Sequence, residues 1–211
     1  MSFLINRNQG VNESIQMKIQ IKMGDIHMLK KDWQVAILAY DTCKGKETTP
    51  KFYMNLAECY QNLDQFDSAL ENLDQAIEKF ESKNEFSSNI GEFSRCLFTR
   101  GLIHHRKLNL KNAIRDFSSA LNLTSKLEKI PYFNLILERG KCYRKLGKLD
   151  ESIRDLTKAC KYNKIQETTK LAIAFNELGK KYFSKQKVFL YMNKNSLNRL
   201  LNNSSRQSNM I

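Results

Sequence analysis

The stretch "NAIRDFSSALNL", residues 112–123, returns thirty-nine residues later as "ESIRDLTKACKY", residues 151–162. Ile, Arg, Asp and Ala keep their register, and Phe117 gives way to Leu156. Self-similarity at such a distance means that one structural unit is used more than once. The apolar residues of the first copy are Leu110, Ala113, Ile114, Phe117, Ala120 and Leu121. Their spacing draws one stripe along an α-helix. The same large, small, large, large, small order runs through Leu149–Cys160, Phe66–Ile77 and Trp33–Cys43.

Each of these four segments follows another helical segment that carries one small residue: Gly24, Ala57, Gly101 or Gly140. Each lies twelve positions before the first small residue of its stripe: Ala36, Ala69, Ala113 and Ser152. Constant spacing predicts a constant helix–turn–helix geometry, with small residues where two backbones approach. Asp32 and Asp150 stand where N-caps of the second helices are expected. Pro50 and Pro131 fall where first helices begin, a position proline tolerates. The copies lie 33, 44 and 39 residues apart. The excess before the third copy carries Phe86, Ile90, Phe93 and Leu97 at helical steps, which predicts a first helix extended backward by about two turns.

Composition agrees with helices. Two prolines and eight glycines in 211 residues are too few for the frequent turns of a sheet protein. No stretch approaches the roughly 18 apolar residues of a membrane span. The opening "MSFLINRNQG" is too short in apolar residues for the core of a secretory signal. The cysteines, Cys43, Cys59, Cys96, Cys142 and Cys160, are odd in number, far apart and without a CxxC pair. Free thiols in a reducing compartment are expected, with Cys43, Cys59, Cys142 and Cys160 buried, and hence a cytoplasmic protein.

The four coherent copies resemble the tetratricopeptide repeat, in a variant of about 40 residues per copy. "NLAECYQNLDQFDSALENLDQAI" carries the resemblance best, and Leu146–Gly147 supplies the family's turn in a later copy. The fold it implies is all-α: helix pairs stacked into a right-handed solenoid with no sheet. Repeats A to E are set at about 17–48, 50–83, 86–126, 131–164 and 168–203, within an array of 12–203. Residues 1–11 form an N-terminal extension and 204–211 a disordered tail. The fifth copy, marked by Gly179, is weaker: Tyr191 and Asn198 replace its small residues, as suits a terminal repeat. Ten principal helices follow. Stacking also explains the repetition, since one helix pair cannot bury its apolar face alone.

Catalytic signatures are absent: there is no HExxH, no glycine-rich phosphate loop and no serine elbow. His27 and His104 occupy a position where other copies have tyrosine, so each is expected to replace a packed ring. His104 and His105 are adjacent on a helix and point about 100° apart, unlike a metal pair. Arg115–Asp116 and Arg154–Asp155 are placed on the outer face of the second helices, where the shared "IRD" is incidental. An enzyme is not expected, nor any metal or cofactor.

Function is then sought in a surface. The resemblance implies a concave groove lined by the first helices. Repeat B contributes Lys51, Met54, Asn55, Glu58, Gln61 and Asn62, and repeat C contributes Arg95, Phe98, Thr99, Leu102, His105 and Arg106. Repeat A brings Lys18, Lys22 and Asp25 among others, D brings Glu138, Lys141, Arg144 and Lys145, and E brings Lys180. The carboxylate clamp of chaperone-binding members is not expected. Of its five positions only Asn55 matches, with Arg95 a partial match, and Asp25 would repel a carboxylate. The net charge is +13, and residues 141–211 hold sixteen Lys and Arg against five Asp and Glu. The candidate partner-binding set is therefore Arg95, His105, Arg106, Lys141, Arg144, Lys145 and Lys180. It would dock an acidic or partly helical protein segment, making the chain a non-enzymatic adaptor within a larger assembly. An acidic cytoskeletal or ciliary surface would suit the basic end. The alternative is non-specific nucleic-acid binding, chiefly of RNA, through the basic C-terminal third. The groove residues do not recur in type, so no base-reading code is present. A basic amphipathic stretch at 185–201 could also meet a membrane surface, although packing on repeat E explains it.

Overall fold

The computed structural model describes residues 2–44, 48–82, 89–124 and 132–162, with side chains from residue 12 to residue 159. Within them lie eight helices and no strand. They are α1 (Ser2–Lys30), α2 (Trp33–Asp41), α3 (Pro50–Asn62), α4 (Phe66–Ser82), α5 (Ile90–Arg106), α6 (Leu110–Thr124), α7 (Tyr132–Lys145) and α8 (Leu149–Tyr162). Each odd helix packs on the even helix after it, and each even helix on the next odd one. This is the stacked solenoid that the repeat requires, with repeats A to D each a helix pair. Repeat E and the 204–211 tail lie outside the described residues. Helix α1 starts at Ser2, so residues 2–11 continue the first helix of repeat A.

The small residues sit where the helix pairs cross. Gly24, Ala57, Gly101 and Gly140 are all buried. Their opposite numbers are sixteen residues on: Tyr40, Leu73, Phe117 and Leu156, each at most 1% exposed. A Cβ on Gly24 would stand 2.5 Å from the Tyr40 ring, and one on Gly101 would stand 2.6 Å from the Phe117 ring. Repeat B pairs Ala57 with the smaller Leu73. The first helix thus gives up side-chain volume where the second helix carries a ring. Ser152, the polar member of the small set, is fully buried because its Oγ donates to the Gly140 carbonyl at 2.9 Å.

One turn closes all four pairs. The residue before the last turn position is left-handed every time: Lys31 (φ 63°), Asp64 (57°), Leu108 (61°) and Gly147 (75°). The next N–H reaches back to the last turn of the first helix: Asp32 to the His27 carbonyl, Gln65 to Tyr60, Asn109 to His104 and Lys148 to Tyr143, at 2.8–2.9 Å. This is the Schellman closure, which normally takes glycine at the left-handed position. Only repeat D supplies one. The acidic caps expected for the second helices are not formed. Asp32 occupies the N-cap of α2 without a side-chain cap hydrogen bond, its carboxylate lying 3.5 Å from His27 Nδ1. Asp150 is inside α8, which begins at Leu149. The turn's own backbone bonds set these helix starts, so the caps are not needed. Thr49, by contrast, caps α3, accepting from the Phe52 N–H ahead of Pro50. Pro131 and Phe86 lie outside the described residues. Helix α5 begins at Ile90, with 17 residues against 13 in α3, so its described extension is one turn.

Arg115 and Arg154 of the shared "IRD" are exposed, as their outer-face placement expects, but the aspartates are not, and their identity has a structural cause. Asp116 and Asp155 are each 3% exposed. Arg100 holds both oxygens of Asp116 through Nε and Nη2 at 2.8 and 2.6 Å. Arg139 holds Asp155 in the same way at 2.7 and 2.9 Å. The third nitrogen of each fork crosses to the preceding repeat: Arg100 Nη1 to Asp74 at 2.6 Å, and Arg139 Nη1 to Ser118 at 3.0 Å. Burial opposes the Arg100 charge, but hydrogen bonds to Asp116 and Asp74 outweigh it and raise the guanidinium above its ordinary value. Repeat B has Leu56 and Asn72 at these places, and repeat A has Met23 and Ala39.

The core is continuous along the stack. Tyr40 meets Phe52 edge-on at 5.3 Å between repeats A and B, and Phe80 meets Phe93 at 5.3 Å between B and C. Cys43, Cys59, Cys96 and Cys142 are buried and unpaired. Burial pushes the Cys59, Cys96 and Cys142 thiols up to about 12, so they act as small apolar fillers and not as nucleophiles. The side chain of Cys160 lies outside the described set.

Candidate functional site

The first helices of B and C bring their groove residues to one place. Met54, Glu58, Gln61 and Asn62 from α3 and Arg95 and Thr99 from α5 surround a depression of about 240 Å³, with Leu73 of α4 in its floor. Six of its seven lining residues are groove positions named from the sequence. The small polar groups are seated on their own helices. Asn62 Nδ2 donates to the Glu58 carbonyl at 2.8 Å, and Thr99 Oγ1 to the Arg95 carbonyl at 3.0 Å. Arg95 and Glu58 are exposed, and neither side chain has an ion pair among the described residues. The site therefore offers an apolar floor, an amide rim and one free charge of each sign.

The basic set behaves differently further along. His105 Nδ1 lies 3.3 Å from Glu138 Oε2, and Lys141 Nζ donates to Glu138 Oε1 at 2.7 Å. Burial works against the Glu138 carboxylate, yet hydrogen bonds from His105 and Lys141 prevail and hold it below its ordinary range. Two residues of the proposed basic set are thus engaged with one groove carboxylate, and Arg144, also partnered, is half-buried. Arg106 is exposed, its guanidinium 5.6 Å above the Phe66 ring. Lys145 is exposed. Lys180 lies outside the described residues.

Repeat A shows the same economy. Asp25 accepts from the Tyr40 hydroxyl at 2.8 Å and from Asn55 Nδ2 at 3.0 Å, tying α1, α2 and α3 together. Burial first, and then Asp25, raises the Tyr40 hydroxyl above its ordinary value. Asn55, the single full match to a clamp, spends its amide on a carboxylate of its own chain. His104 takes its expected half-buried ring position, and burial lowers its imidazole below the ordinary value. Among the described residues no group of three or more His, Cys, Asp or Glu side chains could hold a metal ion. No described helix is long and apolar enough to cross a membrane.

A model of the tetratricopeptide repeat matches residues 50–78, within repeat B, and 134–166, over most of repeat D. Solved structures of stacked helix pairs match over most of the chain, RapI in its apo form with a TM-score of 0.71 over 90% of it. The chain is an all-α repeat protein built of paired helices that match tetratricopeptide-type folds. Its likeness to RapI is 16% in sequence and spans 56% of that chain. The array also matches MamA, with a TM-score of 0.58, 16% identity, and coverage of 74% of this chain and 83% of MamA. A third likeness is the Rap conjugation gene regulator of plasmid pLS20, solved with the Phr* peptide. Its TM-score is 0.53 at 15% identity, covering 84% of this chain and 51% of the regulator. The array therefore spans little more than half of either Rap protein. A search of curated proteins returns no match.

Proposed function

We propose that the chain is a non-enzymatic protein-interaction adaptor that docks an acidic or partly helical segment in its concave groove, centred on the junction of repeats B and C. The observation that carries this reading is the 240 Å³ depression lined by groove positions, with the exposed, unpaired guanidinium of Arg95 at its edge. An arginine fork there can take a carboxylate bidentately. The amide rim of Gln61 and Asn62 can bond a peptide backbone, and Met54 and Leu73 can seat an apolar side chain. Arg106 and Lys145 extend the positive edge, whereas His105 and Lys141 are already held by Glu138. The internal bond from Asn55 to Asp25 supports a docking mode other than a carboxylate clamp. The peptide-bound Rap regulator supports a peptide ligand for a fold of this kind.

Cross-linking pull-down identifies the segment that touches residues 95–106, and fluorescence anisotropy of that segment gives its affinity. Affinity should fall as salt rises, since exposed charges are screened beyond about 10 Å at 0.1 M. Arg95→Glu with Arg106→Glu should weaken binding by at least roughly tenfold. Reversal of Lys18, Lys22 and Lys51 should do much less, since Lys22 already lies 3.7 Å from Asp25. Equal loss from both sets, or none from either, removes the B–C groove as the site. Binding of homopolymeric RNA, lost on replacing Lys185, Lys187 and Arg199, would establish the nucleic-acid reading instead.

A further inference from the structure

Seven of the nine large apolar side chains exposed among the described residues lie on α1 and α2. Four form a stripe on α1, Ile15, Ile19, Met23 and Ile26, at steps of four, four and three residues. The side of α1 that packs on the core carries Met17, Ile21, Gly24 and Met28. At 100° per residue the two sets lie on opposite faces. Helix α1 is thus apolar on both sides, and only one side is covered.

The other repeats show what kind of surface the stripe is. Ile19, Met23 and Ile26 correspond to Phe52, Leu56 and Cys59 in repeat B, which are 2%, 0% and 0% exposed against 52%, 44% and 49% for the stripe. The matching Cys96 and Ile103 in C, and Leu135 and Cys142 in D, are 0% exposed. These positions are buried because the second helix of the preceding repeat lies on them. Phe52 meets Tyr40 of α2, Cys96 donates to the Leu73 carbonyl of α4, and Arg139 reaches Ser118 of α6. The α1 stripe is the same receiving face, shaped for a second helix.

The complementary feature is on the same repeat. Val35 and Leu38 of α2 are 45% and 65% exposed, one helical turn apart. The equivalent pairs elsewhere are polar: Ser68 and Glu71, Asn112 and Arg115, Glu151 and Arg154. Among the described repeats, A alone presents both a face that receives a second helix and a second helix with an apolar outer edge. It is also nearly neutral, with five lysines against four carboxylates over residues 12–44. Two copies meeting there leave the lysines and arginines of α7 and α8 away from the contact. A contact in which residue i meets j while j meets i closes as a two-fold dimer.

We propose that repeat A is the contact of a two-fold dimer, in which the α1 stripe of each copy receives the Val35–Leu38 edge of α2 of the other. Sedimentation velocity of the full chain over roughly a hundredfold concentration range should show a monomer–dimer equilibrium that shifts with dilution. Ile19→Lys with Ile26→Lys should be monomeric throughout, as should Val35→Glu with Leu38→Glu. Both should keep wild-type helicity, since the altered positions are exposed. Leu146→Lys, an exposed apolar position in the turn of repeat D, should dimerise normally. Mixing the lysine and glutamate variants should restore a dimer, because one half-contact is then native and the other pairs opposite charges. A wild-type chain that stays monomeric overturns the proposal, as do assemblies that grow beyond two copies. Failure of the mixture to dimerise overturns the α1–α2 pairing.

Discussion

Alanine at Gly101 and at Gly140 should change stability in opposite directions. Both glycines are in helix interiors, where Ala is better than Gly by about 1 kcal/mol. At Gly101 the new Cβ would lie 2.6, 2.9 and 3.1 Å from three atoms of the Phe117 ring. That ring is fully buried and also packs on Phe98 at 5.8 Å, so it cannot step aside. Overpacking of this kind costs about 1–3 kcal/mol, leaving a net loss of up to about 2 kcal/mol. At Gly140 the nearest atoms are Cδ2 and Cγ of Leu156 at 3.1 Å. A leucine end can yield a few tenths of an ångström, and Ala57 already faces Leu73 in repeat B. Gly140→Ala should therefore be neutral or up to about 1 kcal/mol more stable. Thermal melts followed by far-UV circular dichroism would read these changes as shifts of about 2–4 °C per kcal/mol. Gly101→Ala with Phe117→Leu installs the Ala–Leu pair of repeat B, so its loss should be smaller than the sum of the two single losses. A Gly101→Ala chain that melts at or above wild type refutes the reasoning, as does strict additivity in the double variant.

The remaining expectations concern the arginine forks, the turns and Glu138. Arg100→Leu strands the buried Asp116 carboxylate and should cost about 3–5 kcal/mol in urea melts. Asp116→Asn should cost clearly less, because Arg100 keeps Asp74 and 20% of its side-chain exposure. The double variant, copying Leu56 and Asn72, should recover most of the loss. Leu108→Gly should stabilise by about 0.5–1 kcal/mol by relieving the left-handed backbone, whereas Gly147→Ala should destabilise by a similar amount. Glu138 has a depressed folded value, so its stabilisation is full above the ordinary carboxylate range and is lost as pH falls through the folded value. Glu138→Gln should accordingly flatten the acid limb of a stability–pH profile, and an unchanged limb would assign that limb to other groups.

The array was legible wherever packing leaves a steric mark. Gly24, Ala57, Gly101 and Gly140 had to be small, and their constant distance from the second-helix stripe fixed both register and pairing. The cause of the "IRD" identity was hidden because its partner is sixteen residues upstream, on another helix. The signal was present, since "RG" precedes the aspartate at that distance in both C and D. The left-handed turns were illegible for a different reason: Lys31 and Leu108 are residue types that do not announce that conformation, and tertiary closure imposes it on them. In the groove, the sequence named the lining of the B–C depression well. It overcounted free charge in repeat D because Glu138 was read beside Lys141 without asking whether the two would meet, although a spacing of three on a helix allows it.

The arginine forks have a consequence for how such an array can change length. The acceptor that Arg100 finds in the repeat before it is Asp74, and the one that Arg139 finds is Ser118. The matching residue in repeat A is Asp41, and in repeat D it is Thr157. Every described second helix therefore offers an oxygen at the same place, whether or not the next repeat brings a guanidinium to it. A whole repeat lost or copied would leave the new seam with an acceptor already waiting. In that sense the seams are generic fittings, and the chain can be re-cut in units of one helix pair without redesigning the joint.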